Sequence, residues 1–399
     1  MTNGWKTVRL DELTEADSPI TYGVVKPGDP GDVLFIRGGD LADGRVLSNQ
    51  LRTITRAVSE QYNRTLLRGG ELLMCLVGQP GQVAVAPLAL AGANIARQVG
   101  LIRLRNEIEA EFISYYLQSP DGQASLGTHT GGSVQQVINL GDLRTVNVPV
   151  PPLAEQRRIV GILDEAFEGL ATAKANAEKN LQNARALFES HLQSVFTQRG
   201  DGWVDKTLEE LGTITSSKRI FKSEYVSSGV PFYRTKEIKE LANGRKISTE
   251  LFISESRYKE IKASFGVPEQ GDVLLTAIGT IGEIYVVEGD EDFYFKDGNV
   301  LWLKGFTTIN PYFLKYVLIS FVESLNKMAH GSAYSALPIQ RLNAHRIFVP
   351  SAEEQAAIVS QLDSLSEETQ RLESLYQRKL AALDELKKSL LHRAFSGEL

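Results

Sequence analysis

The chain has 399 residues, 42% of them apolar, which is enough for more than one buried core and excludes a disordered tail. Its formal net charge of −6 excludes a uniformly basic surface, but five arginines against one glutamate from Arg45 to Arg68, and eleven basic against six acidic residues from Lys218 to Lys262, allow local basic faces. A single cysteine, Cys75, excludes an internal disulfide and a cysteine-rich zinc site and fits a reducing cytoplasm.

In chain order, the opening "MTNGWKTVRL" lacks the charged-then-apolar order of a signal peptide. The most apolar stretch, "QVAVAPLALAGA", is broken by Pro87 and too short to cross a bilayer, so a soluble cytoplasmic protein without membrane contact is expected. "ELLMCLV" and "QVAVA" are glycine-bounded apolar runs that predict buried strands joined by a tight turn. "EFISYYLQS" has helical spacing, and "RTVNVPVPP" predicts a last strand ended by prolines. A long helix follows from Pro151, with a seam at Ile159, Leu163, Ala166, Leu170, Ala173, Ala177, Leu181, Ala184, Phe188 and Val195.

The order then starts again. "GWKTVRLDEL" returns as "GWVDKTLEEL", "GELLMCLVGQPGQVAV" as "GDVLLTAIGTIGEIYV", and "PPLAEQRRIV" as "PSAEEQAAIV", all in register at a spacing of 198 to 201 residues. The second long helix carries Ile358, Leu362, Leu365, Leu372, Tyr376, Leu383, Leu386 and Leu390, and Ser351 with Glu354 forms a capping-box sequence at its start. The chain therefore reads as a tandem duplication of α+β class. Globular units at 1–150 and 200–349 alternate with helical spacers at 151–199 and 350–399. Pairing the helices as an antiparallel coiled coil would relate the halves by a pseudo-twofold axis, an arrangement suited to reading two different short sites on duplex DNA.

These features resemble, over essentially the full length, the specificity subunit of type I restriction-modification enzymes. The residues that carry the resemblance are Pro151–Val160 and Pro350–Val359, the strands at Gly70 and Gly271 with their Gly-x-x-Gly turns, the "GS" loops at Gly132 and Gly331, and the closing "RAFSGEL". The sequence departs from the family pattern in "PSAEEQ", which lacks the second proline, and in "GQPGQ", where "GTxG" is commoner. The resemblance implies two target recognition domains, one per half of an asymmetric bipartite site, and no catalysis or cofactor in this chain. It implies as partners double-stranded DNA, two DNA methyltransferase subunits that use S-adenosylmethionine to methylate adenine, and restriction subunits that use ATP and magnesium to translocate and cleave DNA.

Candidate DNA contacts follow from residue type, since cations and amides hold phosphates and Arg, Lys, Asn, Gln, Ser and Thr read base edges. In the first unit these are Tyr22 and Lys26 in a glycine-proline loop, Arg37 in "FIRGGDL", Arg52 and Arg56, Arg64 and Arg68 on a shared helical face, Gln79 in the strand turn, and Arg97. In the second they are Ser217, Lys218, Arg219 and Lys222 in "SSKRIFK", Arg234 and Lys236 in "FYRTKEI", Thr280 opposite Gln79 in the duplication, and Lys296 with Asn299. The loops before the last strands add His129, Ser133, Gln135, His330, Ser332 and Tyr334. Asn94 and Arg97 are each either a DNA contact or a loop hydrogen bonder, and for Tyr22 the alternative is ordinary packing. Two rivals stand beside this reading. A scaffold of two modules on a coiled-coil spacer would bind proteins only. A self-sufficient methyltransferase or nuclease is disfavoured by the missing motifs: "NPYF" at Asn310 lacks a proline, no phosphate loop is present, and Glu-x-Lys triplets at Glu237 and Glu260 follow no aspartate-bearing strand.

Overall fold

The duplicated "GWK" and "GWV" segments become the strands that close each globular unit. Lys6–Arg9 pairs antiparallel with Asn147–Val150, and Val204–Thr207 pairs in the same way with Arg346–Val349. Pro149 is tolerated there because a two-stranded ribbon leaves one side of each strand free of ladder hydrogen bonds. The computed structural model describes residues 4–127, 130–131, 137–198, 200–278, 281–328 and 337–399.

Each unit contains the same four-stranded antiparallel sheet. Its order is Thr21–Tyr22, Val99–Ile102, Leu72–Cys75, Val83–Val85 in the first, and Thr213–Ser216, Val300–Lys304, Val273–Thr276, Ile284–Val286 in the second. All four residues of Leu72–Cys75 and of Val273–Thr276 are buried, so these strands read as continuous apolar runs rather than alternating ones. The Gly-x-x-Gly turns answer a backbone need. Gly81 and Gly282 sit at φ +89° and +99°, where they donate back to the carbonyls of Cys75 and Thr276.

A second, mixed sheet also recurs. Val33–Ile36 lies between antiparallel Arg52–Ile54 and parallel Asn94–Ile95, and Val230–Tyr233 lies between antiparallel Phe252–Ile253 and parallel Tyr294–Phe295. With the helices Ala110–Gln118 and Pro311–Met328, this is the expected α+β class, and the order of parts is that of a duplication.

Two helices of 45 residues each, Leu153–Thr197 and Ala352–Ser396, complete the chain. The compact units do not divide where the helices begin. One comprises residues 1–179 with 377–399, the other residues 180–376, so each contains part of both helices. In the first unit, Ile159 and Leu163 from the start of one helix and Leu391, Ala394 and Phe395 from the end of the other enter one core with Phe112 and Tyr116. In the second, Leu192 from the end of the first helix packs with Leu362 near the start of the second and with Tyr316, and Phe196 stands edge-on to Phe313 at 5.5 Å. Within each unit the helix segments run antiparallel, bridged by Lys174–Asp384 and Arg158 to the Leu399 carbonyl in one and by Arg185–Glu373 in the other.

The seam departs from expectation at Leu386, which is 47% exposed, while Leu192, Thr369, Leu391 and Ala394 are buried in the contact face. An α-helix of 3.6 residues per turn drifts off a seven-residue repeat, so the buried face rotates along the helix. At the second helix start Ser351 and Glu354 bond reciprocally: the Ser351 amide donates to Glu354 at 3.0 Å and the Glu354 amide to Ser351 Oγ at 3.2 Å.

The recurring glutamines, Gln156 and Gln355, explain why "AEQ" and "EEQ" match. Gln156 is buried; its carbonyl accepts the Glu109 amide at 2.9 Å and its amide donates to the Pro151 carbonyl at 2.8 Å. Gln355 repeats this with the Asn310 amide at 2.7 Å and the Pro350 carbonyl at 3.0 Å. Each ties the start of a long helix to the start of a globular-unit helix. Replacement of either by leucine is expected to cost about 1–3 kcal/mol, because the backbone groups it satisfies stay buried and unpaired. Urea unfolding of each variant would show a lowered midpoint with an unchanged slope, and an unchanged midpoint would rule this role out.

Candidate nucleic-acid interface

The mixed sheet of the first unit positions a cleft of about 530 Å³. Its floor is apolar, with Val24 and Phe35 buried, and Arg37, Arg52 and Arg97 stand on its walls. The topology brings them together. Arg52 and Asn94 both lie opposite Phe35, Arg37 follows the end of the same central strand, and Arg97 follows the end of the parallel one. Glycine allows the approach of the neighbouring loop: a Cβ on Gly23 would sit 1.9 Å from the Ile95 carbonyl oxygen.

Arg37 is clamped. Its Nε and Nη2 donate to both carboxylate oxygens of Asp40 at 3.1 and 2.9 Å, while its backbone amide donates to the same carboxylate at 2.7 Å. Arg52 and Arg97 are exposed and have no side-chain partner among the described residues. Tyr22 and Lys26 are exposed on the adjoining strand and loop, and Gln79 is exposed in the turn after Leu72–Cys75. Arg56 pairs with Asp32 at 2.9 Å.

Arg64 and Arg68 do not share a helical face. Arg64 lies in the short 3-10 turn Asn63–Thr65 and Arg68 in the loop beyond it, because buried Thr65 and Leu67 turn the chain inward between them. They nonetheless line a common cleft of about 400 Å³, and Arg68 also pairs with Glu15 at 3.3 Å. Asn94 is a buried structural group whose amide donates to Ser59 and whose carbonyl accepts from Thr65 Oγ1 at 2.7 Å.

The second unit repeats the clamp with different surroundings. Arg234 donates to Glu237 at 2.8 Å and to Glu250 at 3.2 Å. Burial works to raise the Glu237 carboxyl, but hydrogen bonds from the Arg234 side chain and backbone outweigh it and hold the group below the ordinary glutamate range. Arg219 pairs with Asp297 at 2.8 Å, and the Ser217 hydroxyl is occupied by the Phe295 carbonyl at 2.7 Å. Lys218 places its ammonium 4.4 Å from the Phe265 ring centroid. Lys222, Lys236 and Lys296 are exposed, and Asn299 is half-buried with its carbonyl accepting the Ala277 amide at 2.8 Å. Lys296 matches Ala96, since these two amides donate to the equivalent Tyr233 and Ile36 carbonyls. His129, Ser133, Gln135, Thr280, His330, Ser332 and Tyr334 lie outside the described residues.

A family model for the type I restriction modification DNA specificity domain matches twice, over residues 2–181 and 200–380. The chain belongs to this family. Among curated relatives, the type I restriction enzyme EcoBI specificity subunit of Escherichia coli is 31% identical over 198 residues, which is 49% of this chain and 40% of the relative. The putative type I restriction enzyme specificity subunit S.HindORF215P of Haemophilus influenzae is 27% identical over 270 residues, 66% of each chain. The aligned regions thus span 40% and 66% of the length of these two relatives. Two solved structures share the fold. A chain from a study of complex assembly and conformational transition of the type I R-M system has a TM-score of 0.78 at 21% identity, covering 100% of this chain and 99% of that one. The HsdS subunit from Thermoanaerobacter tengcongensis has a TM-score of 0.60 at 22% identity, covering 100% and 98%.

In this specificity-domain protein, one residue that supports the interface is silent in the sequence. Arg103 is buried with its partner Glu71, Nε to Oε1 3.4 Å, and donates to the carbonyls of Arg64 at 3.0 Å and Leu66 at 2.7 Å. Glu71 in turn accepts the amides of Arg68 and Gly69 at 2.6 and 2.7 Å. This network fixes the loop that carries Arg64 and Arg68. Its only sequence signal is a lone arginine in the apolar run "GLIRL". The second specificity domain uses Asp272 instead, which accepts from Trp302 Nε1 at 2.7 Å. Of the Glu-x-Lys glutamates, Glu237 is spent on Arg234, and among the described residues no group of three or more His, Cys, Asp or Glu comes together as a metal site. No helix is long and apolar enough to cross a membrane.

Proposed function

We propose that this chain is the sequence-reading subunit of a type I restriction-modification complex, each unit reading one half of an asymmetric bipartite DNA site. The observation that carries the proposal is the duplicated mixed sheet, which keeps one arginine-carboxylate clamp at Arg37 and Arg234 while the groups around it differ. A shared frame with unequal side chains is what two different half-sites require. The family match supports this reading over a protein-only scaffold.

In this reading the chain does no chemistry. Its partners would be two methyltransferase subunits, which supply S-adenosylmethionine-dependent adenine methylation, and restriction subunits, which supply ATP- and magnesium-dependent translocation and cleavage. The paired helices would set the gap between half-sites. Methylome sequencing of cells with and without this chain is expected to show one bipartite adenine-methylation motif that depends on it; an unchanged methylome would defeat the proposal. Exchange of residues 1–150 for another recognition domain is expected to change one half of that motif only. Lengthening the helix near Ala171–Ala177 is expected to change only the gap, read in the same experiment.

A further inference from the structure

We infer that Arg52 and Arg97 are the base-reading residues of the first unit, and that the half-site they read contains guanine. This rests on the DNA-reading role proposed above and adds a division of labour among the cations. The clamp is common to both units, with Arg37 on Asp40 and Arg234 on Glu237, so it serves whatever the two units do in common: positioning on the duplex.

Arg52 and Arg97 are different. They share the cleft with Arg37 yet have no carboxylate partner among the described residues, so the full fork of donors on each guanidinium is available to a ligand. That fork matches guanine O6 and N7 in the major groove.

The duplication shows that this arrangement is not simply a property of the fold. Between matched positions Ala96 and Gln98 the first unit has Arg97; between Lys296 and Asn299 the second has Asp297 and Gly298. Asp297 inverts the charge of that turn and holds Arg219. Arg234, Arg245, Arg257 and Arg346 of the second unit also face carboxylates, at 2.8, 3.3, 2.9 and 2.9 Å. Among the described residues, its exposed candidate cations without a carboxylate partner are lysines, Lys218, Lys222, Lys236 and Lys296, which as compact point charges suit phosphates rather than a bidentate base contact. The two halves are therefore read by different chemistry.

The test is selection from a randomised duplex library by the full chain co-expressed with its modification subunits, repeated for Arg52→Lys, Arg97→Lys and the two alanine variants. The lysine variants keep the charge and lose the fork. They are expected to keep the salt dependence of binding and to lose roughly 10- to 100-fold preference for guanine at one position each, in the same half of the motif, with the other half intact. Uniform weakening of an unchanged motif with a shallower salt dependence in the alanine variants would make both residues phosphate contacts and overturn the inference. So would an altered half that contains no guanine. A wild-type complex that selects no motif at all would defeat the DNA-reading role itself.

Discussion

Phe395→Ala is expected to destabilise the first unit by about 3–5 kcal/mol while leaving the second nearly unchanged. Phe395 is 5% exposed and stands edge-on to Phe112 at 5.2 Å and to Tyr116 at 5.3 Å, so its removal opens a cavity in the core that also contains Leu10, Leu72 and Leu391. The effect is unusual in its reach along the chain, because a substitution four residues before Leu399 loosens strands that begin at Lys6. Hydrogen exchange on the full chain would show lost protection in Leu72–Cys75 and Val99–Ile102, with Val273–Thr276 still protected. Phe196→Ala should do the reverse, because Phe196 meets Phe313 in the second unit. If both variants loosened the same unit, the crossed packing of the helices would be wrong.

Arg103→Met is expected to cost about 3–5 kcal/mol, because it leaves the Glu71 carboxylate buried without its counter-ion. Loss of the guanidinium also frees the Arg64 and Leu66 carbonyls. The double variant Arg103→Met/Glu71→Gln should recover part of the loss, since a neutral side chain no longer needs a buried cation. A double-mutant cycle by chemical denaturation measures the coupling. Additive single effects would show that the pair is not a unit. The loop it fixes carries two candidate contacts, so DNA affinity should fall even where the variant remains folded.

The duplication, the class of the fold and the starts of both long helices were legible in the sequence for local reasons. "ELLMCLV" and "DVLLTAI" read as strands because they are apolar runs too short for a helix and are bounded by glycine. Ser351 and Glu354 bond each other because they are three residues apart at a helix start. The resemblance to the specificity subunits rested on the same short-range signals recurring in order. The candidate cations were less legible. Arg52 and Arg97 stood in the sequence beside Arg56, Arg68 and Arg219 with nothing to separate them, yet among the described residues the first two have no carboxylate partner and the other three are paired.

What the sequence by itself determined about this protein is its plan: two similar α+β units, each followed by a long helix, with different side chains at matching loops. Only the tertiary structure decided which charges are available and which elements share a core. Asp297 lies 78 residues from Arg219, and Leu399 lies 241 residues from the Arg158 that binds its carbonyl. Pairing over such separations depends on how sheets and helices pack, which periodicity within a dozen residues does not encode. The same reason hid the division of each long helix between two cores, because one apolar stripe looks alike whichever partner covers it.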